Sequence, residues 1–177
     1  MVKIMKFREW INNNITEAGN SASEVIWRKD GNAKIGEFEV KSNKTGNKSE
    51  FTIVINKKEK HKGHIIKDIE IYEFKFYDSD GNIELVNNME FVLGVAPTIK
   101  KEFSNLLDTK PEAVIFSADK KEKSRVKHYN KFAEKIANEY NYEIFYKTAI
   151  SSPDDEYVLV RKDKIQDFKM NFVTTKI

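Results

Sequence analysis

A short basic cluster could bind an anion, and it lies where the sequence predicts the start of a helix. Between positions 118 and 127 there are five basic and two acidic side chains, a local excess of three positive charges. Ser124 is a good N-cap, because its hydroxyl can accept a hydrogen bond from a free amide of the first turn. A phosphate or an acidic partner surface could bind Lys120, Lys123, Ser124 and Arg125. The alternative is a solvated face, which is the more frequent role of such a charge run.

The remaining polar groupings do not predict a metal site. His61 and His64 form the one close histidine pair, whereas a zinc site needs three or four ligands and the chain has no cysteine. Asp78, Asp80 and Asn82 alternate as in a calcium-binding loop, but no glutamate follows at the spacing of the bidentate ligand. We expect a tight turn there and no metal.

The elements that would position the basic cluster are a strand, a helix and a hairpin. Residues 113–116 form a short apolar run, typical of a strand buried on both faces. Helical spacing predicts an amphipathic helix over residues 124–140, and Asn141 is suited to end it. Residues 142–146 and 155–161 predict two further strands. The side chains expected to face inward from the helix are Val126, Tyr129, Ala133 and Ile136.

This order of elements resembles the C-terminal half of the GNAT fold, the fold of a superfamily of N-acetyltransferases. It is closer still to a group of tailed-phage proteins that carry a GNAT-like module with an FSA…SRVKxY signature. Here the signature is formed by residues 116–118 and 124–129, and the resemblance spans residues 38–162. It implies that Tyr129 occupies the position of the general acid that protonates the leaving thiolate. The alternative is an apolar-face tyrosine with its hydroxyl at the rim.

The chain before this unit predicts more antiparallel strands and one helix. Alternating apolar residues predict a hairpin over residues 38–55, a long strand over 69–77 and a short one over 83–86. A helix is predicted over residues 97–107, because its proline suits a first helical turn. The expected fold is α+β and GNAT-like, with a mostly antiparallel central sheet. Two main helices, at about 97–107 and 124–140, and a short N-terminal helix complete it.

Cofactor binding in the GNAT fold depends on the turn before the first of these helices. The family carries Arg/Gln-x-x-Gly-x-Gly/Ala there, and the free amides of this turn hold the pyrophosphate of acetyl-CoA. The resemblance assigns this role to Gly94, Val95 and Ala96. No Arg or Gln precedes Gly94 at the family's spacing, and Pro97 has no amide hydrogen to donate. We therefore expect no cofactor, or acetyl-CoA if the protein is an enzyme.

The first residues resemble the capsid-targeting sequences of large tailed phages. Residues 5–11, Met-Lys-Phe-Arg-Glu-Trp-Ile, match the pattern of a basic start followed by aromatic residues around a glutamate. Residues 15–17, Ile-Thr-Glu, match the triplet after which a prohead protease cuts. The resemblance implies delivery to the phage head by residues 1–17 and cleavage between Glu17 and Ala18. The alternative is a short amphipathic helix that packs on the domain.

Length and composition predict one globular domain. The chain has 177 residues, of which 40% are hydrophobic and 33% charged, and no apolar run approaches the roughly 20 residues of a membrane span. A net charge of +3 is too small to indicate specific nucleic-acid binding. The predicted organisation is a targeting peptide at 1–17, a linker at 18–34 that leads into a first strand, and a single domain at 35–177. Residues 168–177 are expected to add an edge strand or to extend as a tail.

Three functions are compatible with these patterns. The first is a virion-associated or head-packaged phage protein without acetyltransferase activity, found in the virion or the host cytoplasm. Its partners would be phage head or other virion proteins. The second is an acetyl-CoA-dependent N-acetyltransferase. The third is a host-interaction or anti-defence module that binds a host protein and keeps only the fold.

Overall fold

The computed structural model describes residues 22–42, 45–58, 60–61, 64–65, 69–78, 92–119, 123–147 and 154–173. The strands in these ranges are β1 (Ile26–Asp30), β2 (Ala33–Lys41), β3 (Lys48–Lys58), β4 (Lys60–His61), β5 (His64–Ile65), β6 (Ile71–Asp78), β7 (Ala113–Asp119), β8 (Tyr142–Lys147) and β9 (Asp154–Arg161). The helices are α1 (Val92–Asp108), α2 (Lys123–Glu139) and α3 (Ile165–Val173), the last preceded by a 3-10 turn at Lys162–Lys164.

Seven strands form one sheet in the order β1-β2-β3-β6-β7-β9-β8, while β4 pairs with β5 alone. Every neighbouring pair in the large sheet is antiparallel except β6 and β7. These two run parallel because α1 lies between them in the chain and carries it back across the sheet. Their pairing, which we call the seam, runs from Ile71–Ala113 to Phe74–Phe116. The predicted α+β class with a mostly antiparallel sheet is therefore confirmed.

The face of the sheet that packs on α1 and α2 holds the larger core. The buried residues of β2 and β3 alternate with exposed or half-buried ones, as expected for strands with one face covered more fully than the other. Phe103 of α1 is at the centre of this layer, where its ring makes edge-to-face contacts with Phe74, Phe116 and Phe132. These rings join strands on both sides of the seam to both helices.

A smaller core lies on the opposite face, beneath α3. Ile71 and Ile115 of the seam strands and Val158 of β9 are fully buried there against Phe168 of α3. Residues 113–116 are thus covered on both faces, which confirms the prediction of an interior strand. The prediction of an edge strand or a tail over residues 168–177 was wrong over its first part, because residues 168–173 belong to α3.

The second main helix lies where the sequence placed it. α2 covers residues 123–139, Ala133 and Ile136 are buried as expected, and Asn141 follows with a positive φ of 62°. A short polar side chain tolerates this left-handed conformation, which ends the helix. The side chains of Val126 and Tyr129 lie outside the described residues.

Two boundaries differ from the sequence prediction. α1 begins at Val92, five residues before the predicted start, so that Pro97 lies inside the helix. The predicted linker over residues 18–34 contains β1, which pairs with β2 along its whole length. The sheet therefore begins before position 35. The residues of β1 are exposed, so backbone pairing rather than burial holds this strand in the sheet. The targeting peptide, the N-terminal helix and the strand at 83–86 lie outside the described residues.

Candidate functional site

The two strands of the seam separate at their carboxyl ends. Pairing between β6 and β7 stops at Phe74–Phe116, although both strands continue. β6 goes on to Asp78 while paired with β3, and β7 goes on to Asp119 while paired with β9. The sheet consequently opens between them at this end. In sheets with parallel strands, the crevice outside the carboxyl ends is the usual place for a ligand.

Both main helices lead away from this opening. α1 follows β6 in the chain, and α2 begins four residues after β7 ends. A helix N-terminus carries free amides and a positive partial charge, which favour an anion. This end of the sheet therefore brings together the backbone segments in which the sequence placed its anion-binding and cofactor-binding residues.

The residues predicted to bind pyrophosphate lie within α1 instead of in a turn before it. Val95 is fully buried, and a Cβ atom added to Gly94 would lie only 2.4 Å from Cγ1 of Val40. The Thr98 hydroxyl donates to the Gly94 carbonyl at 2.9 Å and accepts the Ser23 amide at 2.9 Å. Gly94 and Val95 thus pack the start of α1 on the sheet.

The shifted start of α1 has a simple cause. The prediction placed proline in the first turn, where its missing amide hydrogen leaves no carbonyl unpaired. Pro97 lies one turn further along, where the missing hydrogen leaves the Leu93 carbonyl without its usual helical partner. The Thr98 hydroxyl bonds the neighbouring Gly94 carbonyl, and Val95 buries itself in the core. We infer that this local packing offsets the loss of one helical hydrogen bond.

The structure describes the predicted anion-binding residues only in part. Lys123, Ser124 and Arg125 form the first turn of α2, close in the chain to the open end of β7. Tyr129 lies between one and two turns further along the same helix. The side chains of all four, together with Lys120, lie outside the described residues, as do Glu17 and Ala18. Their roles stay predictions.

A network of ionic side chains lies at the opposite end of the seam. The Glu112 carboxylate accepts the Glu70 amide at 2.8 Å and pairs with Lys164 at 2.9 Å. Burial raises the pKa of Glu112, but the hydrogen bonds from Glu70 and Lys164 outweigh it and hold the pKa below its usual value. Glu70 itself accepts from the Tyr72 hydroxyl at 2.9 Å. The network ties the start of β6 to the start of β7.

The same network reaches β9 through Arg161. Its guanidinium forms two hydrogen bonds with Asp163, at 2.6 and 3.1 Å, and a third with the Lys110 carbonyl. The hydrogen bonds with Asp163 raise the pKa of Arg161 and lower the pKa of Asp163. Beside it, the Tyr142 hydroxyl donates to the Pro111 carbonyl at 2.5 Å, and burial raises the pKa of Tyr142 to about 12. Groups so fully engaged with one another stabilise the fold and offer little to a substrate.

A groove that the sequence did not indicate lies on the α1 face, near the turn between β1 and β2. It has a volume of about 820 Å³ and is bordered by Trp27, Lys29 and Lys34 on the sheet and by Glu102 and Asn105 on α1. The predicted linker at residues 18–34 includes Trp27, so the sequence does not indicate its position on the sheet. The pairing of Trp27 with a glycine, Gly36, reveals that the indole lies on the sheet. This pairing is known only once the register of β1 and β2 is known.

Among the described residues, no group of three or more His, Asp and Glu side chains could hold a metal ion. Within the same ranges, no helix has the length and apolar character needed to cross a membrane. A scan against protein-family models found no match, and neither did searches of curated proteins and of solved structures. What the protein does must therefore be inferred from its own residues.

Proposed function

We propose that this chain is a virion-associated or head-packaged phage protein whose GNAT-like domain binds a partner instead of transferring an acetyl group. The GNAT-like part of the proposal is supported by the sheet. It is mostly antiparallel, its single parallel pair separates at the carboxyl ends, and a helix and a hairpin follow that pair. This is the order of elements for which the resemblance was identified.

The observation that carries the proposal is the packing of Gly94 and Val95. In the GNAT pattern these positions would present free amides to a pyrophosphate. Here Val95 has no exposed surface, and the space beside Gly94 is filled by Val40. The residues immediately before α1 are Asn87-Asn88-Met89-Glu90-Phe91, a stretch without glycine and with a negative charge. Both features disfavour a dianionic phosphate group at this helix start.

Calorimetry and thermal denaturation with acetyl-CoA test this part of the proposal. We expect neither heat of binding nor a rise in the melting temperature at millimolar acetyl-CoA. A ligand that binds only the folded state raises stability by RT ln(1 + [L]/Kd), so an excess of about 100 Kd would add about 2.7 kcal/mol. An active acetyltransferase titrated with the same solution controls for the cofactor. A saturable shift with this protein would refute the absence of cofactor binding.

The virion part of the proposal rests on the first eighteen residues. Residues 5–11 resemble a capsid-targeting peptide, and Ile15-Thr16-Glu17 before Ala18 resembles its cleavage site. Intact-mass measurement on purified virions tests it, with a chain starting at Ala18 as the expected form. A Glu17→Ala variant should remain uncut while still entering the head. Absence of the protein from virions would overturn this part and leave the fold argument untouched.

The second candidate is an acetyl-CoA-dependent N-acetyltransferase, and the open end of the seam favours it. There the strands separate beyond Phe74 and Phe116, and α1 and α2 begin nearby. In this case Tyr129 would protonate the leaving thiolate. A Tyr129→Phe variant should then lose turnover while it binds acetyl-CoA as tightly as the wild type. Equal turnover of the two proteins would remove Tyr129 from the mechanism.

A further inference from the structure

The groove beside the β1–β2 turn has the size of a small-molecule site. Its volume of about 820 Å³ falls in the range of roughly 300–1,000 Å³ that such sites occupy. It lies at the end of the sheet away from the opened seam, between β1, β2 and the C-terminal half of α1. Asp30 pairs with Ala33, so that only Gly31 and Asn32 form the turn. The turn itself is too short to cover the sheet at this corner.

An indole ring forms one wall of the groove. Trp27 lies on the strand at the edge of the sheet and keeps 37% of its surface exposed. It is paired with Gly36, and a Cβ atom at Gly36 would lie 2.9 Å from the ring atoms Cε3 and Cζ3. The missing side chain therefore lets the indole lie against β2. A fixed, half-exposed aromatic ring is a surface on which a planar group can stack.

A buried acidic residue of α1 also lines the groove. Glu102 is only 7% exposed, and its Oε2 accepts a hydrogen bond from Asn105 Nδ2 at 3.0 Å. In the described part of the chain it has no basic partner, and no further hydrogen bond is made to its carboxylate. A buried carboxylate with so few donors is costly, because it has lost water without gaining a cation. A ligand with N–H donors would supply what is missing.

Two lysines stand at the rim of the same groove. Lys29 and Lys34 are directly opposite each other across β1 and β2. Like charges in this arrangement destabilise a sheet, and neither lysine has an acidic partner among the described residues. Lys57, which also borders the groove, is already paired with Glu70 at 3.2 Å. The two unpaired lysines would gain from an anionic group bound between them.

We propose that this groove binds a guanine nucleotide. The base stacks on Trp27, the Glu102 carboxylate accepts its N1–H and its 2-amino group, and Lys29 and Lys34 hold the phosphate. A carboxylate matches two parallel donors, which guanine presents on one edge. Adenine presents an acceptor, N1, beside its amino group, so that one of the two contacts becomes repulsive. The groove therefore selects by base as well as by charge, and it acts independently of the open end of the seam.

The test uses the full chain with Trp10→Phe, which leaves Trp27 as the sole tryptophan. GMP, AMP and guanosine are titrated at constant ionic strength, with tryptophan fluorescence and calorimetry as readouts. We expect saturable binding of GMP, and binding of AMP weaker by at least about tenfold, the equivalent of one lost hydrogen bond of about 1.4 kcal/mol. Guanosine should also bind more weakly than GMP. No saturable signal with GMP, or equal affinity for GMP and AMP, would overturn the proposal.

Substitutions test which side chain binds the base of the nucleotide and which binds its phosphate. Glu102→Gln should reduce the preference for GMP over AMP, since an amide offers only one acceptor. Lys34→Met should bring the affinity for GMP close to that for guanosine. Lys41→Met is the matched control, because Lys41 is an exposed lysine of the same strand on the opposite face of the sheet. Lys34 is exposed, so its variant remains informative if Glu102→Gln fails to fold. Equal weakening by the Lys34 and Lys41 changes would reveal nonspecific charge attraction and refute the site.

Discussion

Replacing Gly94 with alanine separates a packing glycine from a phosphate-binding one. In a glycine-rich turn that holds pyrophosphate, an added methyl group blocks the ligand and has little effect on the free protein. Inside a helix, alanine is favoured over glycine by about 0.8–1.0 kcal/mol. At Gly94 the added carbon would meet Cγ1 of Val40 at 2.4 Å. The stability of the free protein therefore reports which environment the residue occupies.

The magnitude follows from that distance. Carbon atoms in contact are about 3.5–4.0 Å apart, so the contact must open by about 1 Å or more. Overpacking of this kind costs about 1–3 kcal/mol. The gain in helix propensity is at most about 1 kcal/mol, and it is smaller near a helix start such as this. We expect Gly94→Ala to destabilise the protein by about 1 kcal/mol, which lowers the melting temperature by about 2–4 °C.

A double-mutant cycle with Val40→Ala makes the test decisive. Val40→Ala removes the carbon that the new methyl group would meet, so the same change at Gly94 should become neutral or stabilising. The coupling energy should be about 1–2 kcal/mol, which urea denaturation of the four proteins can measure. If Gly94→Ala stabilises the wild type as much as it stabilises the Val40→Ala protein, the two residues do not touch. Gly94 would then lack the packing that distinguishes it from the glycine of a pyrophosphate-binding turn.

Three further changes test the core and the ionic network. Tyr142→Phe leaves the Pro111 carbonyl without its donor and should cost about 1–2 kcal/mol in urea denaturation, with far-ultraviolet circular dichroism unchanged. Phe103→Ala removes a ring that three others contact and should cost about 3–5 kcal/mol; a smaller loss than Phe132→Ala would contradict its central position. Glu112→Gln should cost about 1 kcal/mol at neutral pH, after allowance for partial exposure. Because the pKa of Glu112 is lowered in the folded state, its stabilising effect exists above the unfolded pKa and is lost as pH falls through the folded one. The deficit of the variant should therefore disappear in acid, and a deficit independent of pH would refute the ionic explanation.

The periodic segments of the chain could be predicted from sequence because one local rule governs each of them. The alternation in β2 and β3 and the stripe that includes Ala133 and Ile136 report directly which side is covered. Asn141 was identified as the end of α2 for a similar reason, since few side chains tolerate a positive φ. In these places local preference and tertiary packing agree.

The errors fall where tertiary contacts override the local signal. Pro97 resembled a first-turn residue, but the contacts of Gly94 and Val95 with the sheet extend α1 beyond it. β1 has five exposed residues and is held through backbone pairing with β2, so its two apolar residues, Ile26 and Trp27, do not mark where the strand begins and ends. The groove was missed for the same reason, because Trp27 and Glu102 are 75 positions apart and border the same groove only in the folded chain.

The short seam has a consequence for how the chain folds. One half of the sheet consists of β1, β2, β3 and β6, which are antiparallel and follow one another closely in the chain. The other half consists of β7 and the hairpin of β8 and β9. Joining the two halves pairs Ile71 with Ala113, and it must first bring together the ends of the long segment between β6 and β7. This step loses chain entropy, and the short pairing between the two strands offsets little of that loss. We expect this docking to be the slow step, with both halves already formed when it occurs. The hydrogen bond from Glu70 to Glu112 would then help to set the rate at which the protein assembles as well as its final stability.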